Sequence, residues 1–140
     1  MNEIQPAIFL EACASGQLKV AEQFVTEGQH PIDIKNENGW TGLIMACFNE
    51  NIELAKYLIA NGADINATNH KGTTVFMYAK TPIQAKQNDT AFLAYLLDQG
   101  ANINALDNKG KSVLDYVSEN GYSVLADWLK SIGAQPSILI

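Results

Sequence analysis

Apolar residues recur along this chain at helical spacing, in short stretches separated by polar turns. Ile52, Ala55, Leu58 and Ile59 mark one stretch, and Leu93, Leu96 and Leu97 another. Such i, i+3, i+4 spacing lines one face of a helix. The pattern predicts helices over Leu18–Glu27, Ile52–Asn61, Thr90–Gln99 and Ser123–Ile132, each followed by a glycine: Gly28, Gly62, Gly100 and Gly133. Glycine there can take the left-handed conformation that closes a last helical turn. A shorter apolar stretch precedes each of the last three of these helices, and Thr41, Thr74 or Ser112 stands just before it. A hydroxyl in that place accepts an otherwise unpaired N–H of the first turn. Ser112 and Asp115 even have capping-box spacing.

The glycines also carry a period. Gly28, Gly62, Gly100 and Gly133 are 34, 38 and 33 residues apart, and Gly39, Gly72 and Gly110 are 33 and 38 apart. The two series stay 11, 10 and 10 residues from each other, so the segment between paired glycines is a fixed unit. The extra length must lie elsewhere. Gly39 to Gly62 is 23 residues and Gly72 to Gly100 is 28, which places a five-residue insertion inside the third unit, around Lys80–Gln87. Pro82 is expected to end or kink the helix there, and Asp89 or Thr90 to cap the next one. Each unit thus reads as a short helix, a turn, a second helix and a tight loop. A sustained period of this length signals stacked supersecondary units.

The matching loop motifs are Gly62-Ala63-Asp64-Ile65-Asn66-Ala67 and Gly100-Ala101-Asn102-Ile103-Asn104-Ala105, and the best helix start is Thr41-Gly42-Leu43-Ile44. Together with the period, these resemble the ankyrin repeat, from Pro6 to Ala134. The resemblance implies an all-α solenoid of four repeats in one domain over residues 1–140, at about 5–36, 37–69, 70–107 with the insertion, and 108–140. No unit keeps the family's N1 proline or its histidine, so the histidine-centred bonds between repeats are not expected. Polar residues on the end helices (Lys19, Glu22 and Gln23 in the first unit, Asp127, Lys130 and Ser131 in the last) suit the outer faces of a stack. Asn66 resembles the hydroxylation acceptor of eukaryotic ankyrin repeats, though its motif is equally an ordinary hairpin entry.

Charge and composition narrow the chemistry. The chain carries nine basic and fifteen acidic residues, a formal net charge of −6, and every basic residue is lysine. Such a surface repels phosphate at long range, so nucleic acid is not an expected partner. No apolar run reaches membrane-spanning length, and Met1-Asn2-Glu3-Ile4 lacks a secretory pattern. The expectation is a cytoplasmic protein that binds neither membrane nor cofactor. Cys13 and Cys47 follow Ala12 and Ala46 at equivalent positions, where small residues let helices pack. Helices 8–10 Å apart hold such residues beyond disulfide reach. His30 and His70 fall in separate loops and read as solvated side chains. No nucleophile, base or metal set emerges, and the chain is read as no enzyme.

A concave face built from hairpin tips and first helices is what such a solenoid offers. Carrying the family's variable positions over gives three rows. The residue after the loop glycine is Trp40, Thr73 or Lys111, and the outward first-helix residue is Glu11, Met45, Tyr78 or Tyr116. The tips are Glu37-Asn38, His70-Lys71 and Asn108-Lys109. Trp40, Met45, Phe48, Tyr78 and Tyr116 supply large contact area at low rotamer cost, and His70, Thr73 and Lys111 flank them. The expected function is binding a protein partner on that face, as an adaptor, regulator or inhibitory partner. The insertion either borders the binding face or is a tolerated loop. A monomer is expected; the alternative is a weakly self-associating structural protein whose apolar tail, Pro136–Ile140, pairs copies instead of docking on the last repeat.

Overall fold

Every predicted cap but one forms where the sequence places it. The computed structural model describes residues 3–87 and 89–137. The side chains of Thr41, Thr74 and Ser112 accept the N–H groups of Ile44, Met77 and Asp115 at 3.1–3.2 Å, and Ser112 with Asp115 completes a capping box. Thr90 departs from expectation. It occupies the N-cap but its side chain makes no capping bond, because its backbone is not in the extended conformation of the other three.

Four helix pairs result among the described residues: α1 Pro6–Ser15 with α2 Leu18–Glu27, α3 Gly42–Phe48 with α4 Ile52–Ala60, α5 Val75–Ile83 with α6 Ala91–Asp98, and α7 Val113–Glu119 with α8 Ser123–Ser131. No strand forms among these residues, only an isolated Thr68–Thr74 bridge. The all-helical ankyrin-type solenoid is therefore the fold. One expectation is corrected in the first pair: Pro6 does stand at the first position of α1. That helix begins two residues ahead of the place its Ala12-Cys13 alignment implies, so the proline fills the N1 role off register. Its missing N–H costs nothing there.

The apolar seam runs through all four pairs. Phe9 and Phe24 stack inside the first, with centroids 4.0 Å apart. Ala12, Ala46 and Ala79 are buried at the close approaches of α1, α3 and α5, and Val117 takes their place in α7. Cys13 and Cys47 are free and buried; burial pushes the Cys13 thiol up to about 12 and Cys47 higher still. His30 is not the solvated side chain expected: it lies parallel to Phe24 at 5.7 Å.

Where the family's histidine bonds are missing, Asx side chains tie one loop to the next. Asp33 accepts the Asp64 N–H at 3.0 Å. Asn66 accepts the Asn102 N–H and donates to the Gly100 carbonyl. Asn104 repeats both bonds toward Gln135 and Gly133. A carboxylate has no donor, so the first of these ties is single where the later two are double.

The insertion is folded rather than loose. Pro82 does not end α5 at once; the helix runs one residue further and tightens into a 3₁₀ turn over Gln84–Lys86. The proline removes a bond only where the ladder is already ending. Lys86 then pairs with Glu50 of the second repeat at 2.7 Å. The Gln87 side chain accepts the Val124 and Leu125 N–H groups at the start of α8, at 2.9 and 3.4 Å. The extra residues thus touch both neighbouring repeats along the edge away from the hairpins. Of the apolar tail, Ser137 donates its N–H to Asp115; Ile138–Ile140 lie outside the described residues.

Candidate protein-binding face

Each hairpin is closed by one Asx side chain that gathers backbone N–H groups. Asn36 accepts from Asn38 and Trp40, Asn69 from Lys71 and Thr73, and Asp107 from Lys109 and Lys111, all at 2.9–3.1 Å. This is Asx-turn chemistry. It fixes where the residues after the loop glycines project. Successive tips then bond to each other: the His70 N–H donates to the Asn38 carbonyl, and the Asn108 N–H to that of Lys71. Gly39 has a φ of 84°, and a Cβ there would stand 2.6 Å from the His70 ring, so only glycine allows this approach.

The first-helix row projects from the other side. Met45, Tyr78 and Tyr116 are half-buried, with Glu11 exposed at the end of the row. Both tyrosines reach back to the Asx of their own hairpin. Asn69 donates its amide N–H to the Tyr78 hydroxyl at 2.8 Å, and the Tyr116 hydroxyl donates to Asp107. Burial, then the bond to Asp107, pushes the Tyr116 hydroxyl up to about 12. At Asp107, burial alone would raise the carboxyl, but the bonds from Tyr116, Lys111 and Lys109 outweigh it and hold it below its ordinary range. Sequence reasoning found the row but not these ties, since hydroxyl and Asx lie nine residues apart across a turn.

The structure gathers the aromatic candidates into one cluster. Trp40 meets Tyr78 with centroids 4.4 Å apart, Phe48 meets Trp40 edge-on at 5.4 Å, and Phe48 meets Tyr78 at 5.5 Å. Phe48 does not fold into the core; it is 38% exposed. Met45 packs against the core beside them. His70, Thr73 and Tyr116 line a separate cavity between the hairpins of the third and fourth repeats, and the Lys111 ammonium stands over the Tyr116 ring. Lys80 was not singled out by sequence. Its stem is buried, its ammonium lies 5.3 Å from the Tyr116 centroid, and burial lowers its pKa. A lysine two residues after an outward tyrosine could have been flagged, but it reads as an ordinary polar helix residue.

Among the described residues no helix is long and apolar enough to cross a membrane, and no three His, Cys, Asp or Glu side chains converge as metal ligands would.

The family signature of ankyrin repeats (three copies) matches residues 9–82, more than half of the chain. Over 62 residues the chain is 42% identical to human protein phosphatase 1 regulatory subunit 27, a stretch covering 44% of this chain and 40% of that protein. The mouse protein of the same name is 40% identical over a stretch of equal length. Alpha-latrotoxin-Lt1a of Latrodectus tredecimguttatus is 40% identical over 55 residues, which are 39% of this chain and 4% of the toxin. The chain therefore spans well under two thirds of the relatives it matches.

Proposed function

This chain belongs to the ankyrin-repeat family, and from that premise we propose that it is a non-catalytic module that binds a partner protein on its concave face. The observation that carries the reading is the cluster of Trp40, Phe48 and Tyr78. It spans two repeats, with Trp40 and Tyr78 packed against the edge of the core and fixed by hairpin ties. Rigid aromatic side chains presented together are what binding hot spots consist of, because little rotamer entropy is lost when a partner covers them. Among the roles of adaptor, regulator and inhibitory partner, regulator gains support from relatives named as regulatory subunits of a phosphatase.

The test is Trp40→Ala combined with Tyr78→Ala. The double variant keeps its helical circular dichroism and a cooperative melt, but no longer retains the proteins that the native chain captures in affinity purification with mass spectrometry. An unchanged set of captured proteins removes the assignment of this face.

A further inference from the structure

Between the hairpins of the second and third repeats, the residue after the loop glycine is Trp40, and its ring rests on Tyr78 of the next repeat. One step on, Thr73 holds the equivalent position. The volume an indole would fill is left open there. It forms a cavity of about 320 Å³ bounded by Tyr116, His70, Lys71, Thr73, Asp107, Asn108 and Lys109.

The charge around this cavity is opposite to that of the molecule. The chain carries −6 overall, yet Lys71 and Lys109 stand at the rim, and neither enters an ion pair among the described residues. Lys80 and Lys111 both lie 5.3 Å from the centroid of the Tyr116 ring. Three carboxylates, one of them in the cavity wall itself, stand against these four lysines and leave a positive excess of one, and each carboxylate is already hydrogen-bonded. Asp107 is held by Tyr116 and two backbone N–H groups, Glu119 pairs with Lys111, and Asp115 accepts from Ser112 and Ser137. An excess of ammonium groups around a concave, partly apolar wall concentrates positive potential and favours charge-assisted bonds to an anion.

Resting on the protein-binding reading above, we propose that this cavity receives a carboxylate side chain of the partner. The carboxylate belongs to an extended acidic segment whose neighbouring large apolar residue covers Trp40, Phe48 and Tyr78. Stacked repeats are roughly 8–10 Å apart and an extended chain rises ~3.3 Å per residue, so anchor and acid stand about three residues apart.

Selection of a random twelve-residue peptide display library on the full chain tests this. Enriched peptides carry Asp or Glu about three positions from Trp, Phe or Leu. A synthetic copy of the most enriched peptide binds at least tenfold more weakly in raised salt, to a Lys71→Glu/Lys109→Glu variant, and to Thr73→Trp, which fills the cavity and leaves every charge in place. Circular dichroism confirms that both variants are folded. Enriched peptides without acids, peptides indifferent to both variants, or no enrichment overturn the proposal. In the first two cases, loss of binding to Trp40→Ala/Tyr78→Ala keeps the concave-face reading alive, whereas indifference to that variant sinks both.

Discussion

The junctions among the first three repeats and the junction between the third and fourth are held by different forces. The backbones of α1, α3 and α5 run close together, whereas α7 stands off from α5. Alanine at 12, 46 and 79 permits the close approach, and Gly42 permits more: a Cβ there would lie 2.9 Å from Cys13 Sγ and the Phe9 ring. At the fourth repeat Val117 replaces the alanine, and Tyr116 and Lys80 occupy the widened space on the concave side. Polar edges take over where the apolar seam thins. Asn104 clamps the loop, as Asn66 does one repeat earlier, while Asn108 ties the hairpin tip and Gln87 the start of α8. In a solenoid each unit is stabilised only by its own packing and its neighbours. A loose junction therefore lets one end open separately, and it leaves room for the cavity beside Thr73.

The largest effect should come from the tight side. Leu43 is 1% exposed in α3, and Leu43→Ala should cost about 2–5 kcal/mol. Chemical denaturation followed by circular dichroism should show the main transition shifted to lower denaturant. A shift confined to a minor phase would show that the first three repeats are not the cooperative unit. Next comes the loose side. Gln87→Ala removes a helix cap and should cost about 1 kcal/mol, read as faster amide hydrogen exchange in α7 and α8 with α1–α5 unmoved. Uniform acceleration across all eight helices would erase the distinction between the junctions.

The smallest effect is a pH dependence. Asp107 is held below its ordinary value, so its contribution is complete above about pH 4, the unfolded range. It is lost as pH falls through the lowered folded-state value. Amide resonances of Lys109 and Lys111 should titrate there, and Asp107→Asn should abolish the titration. Persistence of the titration in that variant would assign it to another group.

Much of the repeat framework was legible in the sequence because its determinants are local. Thr41, Thr74, Ser112 and the loop glycines act on backbone within a few residues of themselves, so their spacing announces the helices they begin and end. The candidate row was legible for the same reason: Met45, Tyr78 and Tyr116 sit at one fixed offset from those caps. What escaped depends on residues brought together from afar or on a side chain that is too small. Gln87 meets its partners 37 and 38 positions later, and no periodicity points to such a pair. Lys80 looks like any helix lysine until Tyr116 of the next repeat comes beside it. Thr73 matters by lacking the bulk of Trp40, a property that exists only once the hairpins are stacked. The insertion, which could be read as binding border or idle loop, is a brace between repeats, and its proline misled only as to where α5 ends.

The two thiols give this asymmetry a clock of its own. Cys13 and Cys47 sit in α1 and α3, sealed from solvent and so reluctant to ionise that an alkylating reagent finds nothing to attack. Reagent can reach them only in moments when that half parts, while unzipping of the far end passes unmarked. The speed of labelling therefore times the breathing of one half of the molecule without any engineered probe.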